Sequence, residues 1–113
     1  IRGQPRSRGL GDVYKRQMRG LCCGFDRSGG PCGALAGGIC FLSLLAAELD
    51  DGDRAELIGR FHAWFRERTE QYGGENCEHI ERGEPQNMLT ICPGIIIDSY
   101  EKCVELLEER GLA

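Results

Sequence analysis

Familiar chemical signatures are scarce in this chain. Its 113 residues include two histidines, one tryptophan and four prolines, and aromatic residues make up only 7%. No two cysteines stand at Cys-x-x-Cys spacing, so the close thiol pairs of zinc ribbons and thioredoxin-like proteins are excluded. There is no phosphate-cradling loop, no dinucleotide fingerprint and no paired-carboxylate pattern. No secretory signal pattern is visible. A long hydrophobic run is also missing. The longest uncharged stretch, Ser28 to Ala47, opens on Ser, Gly, Pro and Cys, and its apolar part is only the fourteen residues Ala34 to Ala47. That length suits a buried helix better than a membrane span.

Positive charge is in deficit: 14 Lys/Arg stand against 18 Asp/Glu, a formal net charge of −4. Residues 1–17, "IRGQPRSRGLGDVYKRQ", hold five of those basic residues and one aspartate. They lack apolar periodicity, and "GDVYKRQ" looks like translated sequencing-adapter read-through from a metagenomic fragment. We read 1–17 as a non-native, disordered segment and set it aside from fold reasoning. From Met18 onward nine Lys/Arg face seventeen Asp/Glu, a net of −8. So acidic a body argues against nucleic acid as a partner.

What the chain does have is seventeen glycines and seven cysteines. An odd cysteine count does not suit a fully paired secreted scaffold. It fits a cytoplasmic protein that uses thiols for catalysis or metal binding. The length allows one domain, residues 18–113, with a modest core.

Beyond Met18 the pattern is helical throughout, and the fold class expected is all-α, a small bundle of three to four helices. The first helix is expected over 31–48. The second spans about 54–71 with Asp53 as N-cap. Its Leu57, Ile58, Phe61, Trp64 and Phe65 fall on one face, and "YGG" at 72–74 stops it. A short helix follows at about 77–82 behind Asn76. The last runs from Pro93, well placed at a first helical position, to Arg110. Its expected buried stripe is Ile96, Tyr100, Cys103, Val104 and Leu107.

Three cysteines share a setting in that layout. Cys32 follows Pro31, Cys77 follows Asn76 and Cys92 precedes Pro93, each at the start of an expected helix. Unpaired N–H groups there favour an anion and can depress a thiol's pKa. Three such thiols could converge on one site. Packing alone is the competing account, since free cysteines are often simply buried. Cys40 and Cys103 sit inside helices and are read as core. Cys22 and Cys23 are adjacent, so they cannot easily pair with each other, and one of them is a further candidate. His62 is read as a surface or core residue. His79, two positions after Cys77, is a weak candidate for a metal site, set against an exposed helix residue. Gly33, Gly37 and Gly38 each cost a helix about 1 kcal/mol relative to Ala. Gly33 and Gly37, with Ala34, make a smooth face that another backbone could approach closely.

The segments "CCGFDRSGGPCGALAGGI", "ENCEHI" and "ICPGII" resemble the C-GCAxxG-C-C family of redox-active proteins, a bacterial and archaeal group of small proteins. The resemblance implies that Cys32 is the cysteine of the central motif, with Gly33, Ala34 and Gly37 as its small-residue companions. It implies that Cys77 and Cys92 are the third and fourth family cysteines. The first family cysteine belongs to an N-terminal helix expected to be missing here. Pro31 stands where the family name has glycine, and Gly33 intervenes before Ala34. The expected function is thiol-based redox or electron transfer, with Cys32 as the activated thiolate and Cys77 and Cys92 resolving or co-ligating. Whether the chain turns over as a thiol oxidoreductase is left open. So are two alternatives. One is a metal or iron–sulfur module using Cys32, Cys77 and Cys92, with Cys23 or His79 as weaker ligands. The other is a structural or interaction domain. The redox partner protein and the oligomeric state are not specified by the residues.

Overall fold

A computed structural model describes residues 21–112 of the chain, and for Cys22 the backbone alone. The segment read as non-native, 1–17, falls outside the described residues, and no cysteine precedes Cys22 in the chain. Those residues form an all-α structure with no strand among them. Three long helices make its body: α1, Gly33–Leu45; α2, Asp51–Thr69; and, after two single-turn helices α3, Cys77–Ile80, and α4, Asn87–Thr90, the long α5, Cys92–Glu109.

Each boundary has a local cause. Pro31 and Cys32 hold extended or N-cap geometry ahead of α1. The N-cap of α2 is Asp50, not Asp53. Asp50 Oδ1 accepts a 2.7 Å hydrogen bond from the Asp53 backbone N–H, the N3 donor that an N-cap aspartate satisfies. Asp53 therefore lies in the first turn, beside the positive end of the helix dipole. After Thr69 a 3-10 turn, Glu70–Tyr72, carries the chain to Gly73, whose φ of 95° ends the helical path. Pro93 sits in the first turn of α5 as expected.

The core lies where the three long helices meet. Leu57, Phe61 and Phe65 of α2 are fully buried at i, i+4 and i+8. They meet Leu35 and Leu42 from α1 and Ile95, Cys103, Leu106 and Leu107 from α5. Ile80 of α3 closes the same cluster. The Phe61 and Trp64 rings stack with centroids 5.9 Å apart. Arg68 of α2 donates to Asp98 of α5 at 2.9 Å, which fixes the two helices in register.

The buried face of α5 differs from expectation. Ile95, Ser99, Cys103, Leu106 and Leu107 are buried, whereas Ile96 is 55% and Tyr100 61% exposed. The face is turned by one residue because Ile96 and Tyr100 border a cavity rather than the core. Cys103 is core as expected. Cys40 is only half-buried and lies outside the core cluster.

Candidate functional site

The site begins with the backbone. Within Cys22–Arg27 the backbone from Cys23 to Arg27 is helical with the wrong hand: φ is 57° at Cys23, 71° at Gly24, 59° at Phe25, 56° at Asp26 and 68° at Arg27. Left-handed helical backbone costs an L-residue about 1–2 kcal/mol, so something must hold it. The Gly24 carbonyl does much of this, accepting from Ser28 N at 3.1 Å, Ser28 Oγ at 2.9 Å and Gly30 N at 2.9 Å. Gly24 is required there for a second reason. A Cβ at this position would stand 2.5 Å from the Cys77 Cβ.

The next tie joins two distant segments. Pro31 and Asn76 form an antiparallel bridge. Cys32 N donates to Glu75 O at 3.0 Å, and Cys77 N donates to Gly30 O at 2.6 Å. Glu75 is itself fixed to α2, with His62 Nε2 2.5 Å from its Oε2 and Arg66 Nε 3.7 Å from its Oε1. His62 is thus an anchoring residue.

These ties bring the expected thiols to one place. Cys32 at the N-cap of α1, Cys77 at the start of α3 and Cys92 at the start of α5 all border a single cavity of about 650 Å³. Cys23, carried in by the left-handed turn, and Cys103 border it too. Gly33, Ala34 and Gly37 form part of its wall. Among the described residues no atom beyond its own helical turn lies within 4 Å of where a Gly37 Cβ would be, so Gly37 opens space rather than admitting a neighbouring backbone. The close approach falls one residue later. A Cβ on Gly38 would meet the Phe61 ring at 2.4 Å and Cys103 Sγ at 3.4 Å. His79 does not border the cavity. Its Nδ1 is buried without a partner beside Gly74.

One residue of the site was not singled out in the sequence. Glu81 borders the cavity, and Cys77 Sγ donates to its Oε2 at 3.6 Å. The i, i+4 spacing of Cys77 and Glu81 was the available signal, since it places both side chains on one helical face. A second cavity of about 450 Å³ also opens onto Cys77, Glu81 and Cys23, and is walled by Arg27, Glu78 and Pro85.

Helix starts do not dominate the electrostatics. Burial pushes the Cys32 thiol up, and the backbone N–H groups of Ala34 and Leu35 offset it only in part. Burial is the largest cause at Cys77 as well. The Glu81 hydrogen bond and charge, and then the neighbouring Cys32 and Cys23, add to it, and the thiol is pushed up to about 11. Burial raises Cys92, with Cys32 and Glu81 contributing. The expected depression of these thiols is therefore reversed, because desolvation of a thiolate outweighs the helix-terminal donors. Among the described residues no three His, Cys, Asp or Glu side chains are gathered so as to hold a metal ion.

An all-helical body with several thiols around one cavity defines the class. Residues 8–106 match the model of the family described as "Putative redox-active protein (C_GCAxxG_C_C)". The chain belongs to that family. The match takes in residues 8–17 of the segment read as non-native. No curated protein and no solved structure matches the chain.

Proposed function

We propose that this protein is a thiol-based redox protein whose working groups are Cys32, Cys77 and Cys92. The observation that supports it most is their shared border on one cavity, although they come from three separate helix starts. Two of these thiols, oxidised to a disulfide, would release two electrons and two protons. A partner disulfide accepting them would become two thiols, so the exchange balances without a further reactant. Thiols held protonated are slow nucleophiles until a proton is removed, which suits a protein that reacts only with what enters its cavity. Among the described residues no helix is long and apolar enough to cross a membrane.

The test counts thiols in the full chain, purified without oxygen, before and after a mild oxidant and again after a reductant. Two thiols lost reversibly, with the loss abolished in at least two of Cys32→Ser, Cys77→Ser and Cys92→Ser, is the expected result. Stoichiometric zinc or iron that disappears in Cys32→Ser would overturn it in favour of a metal-binding module. No oxidation in the absence of metal would leave only packing roles for the cysteines.

A further inference from the structure

We infer that Glu81 is the group that takes the proton from Cys77, making Cys77 the attacking thiol, and that the oxidant it attacks is an uncharged, apolar organic disulfide. The inference rests on the thiol-redox reading above and assigns its acid–base residue and its substrate class.

The geometry supplies both halves. Cys77 Sγ already points a hydrogen bond at Glu81 Oε2, 3.6 Å away, within reach for proton transfer to a positioned base. Burial keeps the thiol protonated at neutral pH, so the thiolate must be made at the moment of attack. The pair also borders two different spaces. The larger cavity is walled chiefly by apolar side chains and thiols. Among the described residues Glu81 is its one charged wall residue, and no Lys, Arg or His borders it. An anionic substrate in this cavity would meet that carboxylate, and among the described residues no cation on the same wall offsets it. Ser99 Oγ, on a residue 4% exposed, is buried there without a hydrogen-bond partner. The cavity's size lies within the range of small-molecule sites. The smaller cavity carries Arg27 and Glu78 and gives the Glu81 proton a polar outlet. The other titratable groups around the pair are Cys32 at the start of α1, Cys23 on the left-handed turn and Cys92 at the start of α5.

The step balances as written. The Cys77 proton passes to the Glu81 carboxylate, and the sulfur attacks one sulfur of the substrate disulfide. A Cys77–substrate S–S bond forms as the substrate S–S bond breaks. The leaving thiolate takes the proton back from Glu81. A second cavity thiol then attacks the Cys77 sulfur; the Cys77–substrate S–S bond breaks, the attacking thiol's proton passes to the departing substrate sulfur, and a protein disulfide remains. Two protein thiols are oxidised and one substrate disulfide is reduced to two thiols.

The test follows the reaction of the full chain with dithiodipyridine, an uncharged aromatic disulfide, at neutral pH. Subtracting the Cys77→Ser chain isolates the Cys77 phase. Glu81→Gln is expected to slow that phase by about tenfold or more, within the usual contribution of a general base. Glu81→Asp should retain more of the rate. A carboxylate acting only as a charge predicts the opposite sign: removing it would ease thiolate formation, and Glu81→Gln would react faster. An unchanged or faster Cys77 phase in Glu81→Gln, or Glu81→Asp slower than Glu81→Gln, overturns the inference. The substrate class is read from dithiobis(nitrobenzoate), a dianion. Relative to the urea-unfolded chain, folded protein should favour the neutral probe over the dianion by about tenfold or more. No preference overturns that half. If wild type loses no thiols reversibly, it is the redox reading that fails. If it does lose them and Glu81→Gln is not slowed, this inference alone fails.

Discussion

Cys103 isolates what burial does to a thiol in this protein. It is 1% exposed, its Sγ donates to the Gly38 carbonyl at 3.8 Å, and burial pushes it up to about 11. In the unfolded chain the same thiol returns to its ordinary range, near 9.0. Below that pH both states are protonated, and the thiol's contribution to stability is complete. Above it the unfolded chain gives up its proton first, so stability falls as pH rises through the folded value. Urea midpoints measured at about pH 8 and about pH 10.5 should therefore drop, and should drop less in Cys103→Ser than in wild type. Equal drops in both would show that Cys103 is not held protonated by the fold. The same contrast marks how far the site was legible from the residues. Cys32, Cys77 and Cys92 could be found because Pro31, Asn76 and Pro93 announce helix starts. The direction of their pKa could not, because burial depends on what packs across from them. Glu81 was within reach of the sequence, but only to a reading that looked four residues on from Cys77.

Helix α1 places two glycines side by side with opposite demands. Gly37 faces open space at the cavity wall, whereas Gly38 lies under the Phe61 ring. Gly37→Ala should stabilise the protein by about 0.5–1 kcal/mol through helix propensity alone. Gly38→Ala should destabilise it by about 1–3 kcal/mol, because Phe61 is fully buried and has no free volume to move into. Urea titration of the two variants checks both, and the same sign for both would contradict the packing of α1 on α2. The long helices were readable because Leu57, Phe61 and Phe65 repeat at helical spacing and Pro93 marks a start. The face of α5 was misread by one residue because its apolar residues form two adjoining stripes. Periodicity cannot tell which of Ile95 and Ile96 meets the core and which meets a cavity. The left-handed turn at 23–27 had little local signal. Apart from Gly24, and Asp26 to a lesser degree, none of its residues favours that backbone. What holds it is the set of hydrogen bonds to the Gly24 carbonyl and the contact with Cys77, which is far away in sequence.

At the scale of the whole molecule, the packed core and the cysteine-lined cavity lie side by side. The core is the meeting of α1, α2 and α5, while the thiols gather beside it where single turns and loops join. Hydrogen exchange should divide the protein along that line. Amides of Leu57 to Phe65 should exchange last, and those of Cys32 and Cys77, which reach only Glu75 and Gly30, earlier. Protection of the two cysteine amides equal to that of the α2 core would sink this division. The bridge between Pro31 and Asn76 then acquires a further meaning. It is a latch at the neck of a closed loop that contains all of α1 and α2. Springing the latch would part Cys32 from Cys77 and leave the buried phenylalanines where they are. A thiol-to-thiol bond across the neck would do the reverse, locking covalently what the backbone holds with two hydrogen bonds. The redox state of the cysteines would thereby set how often this loop opens.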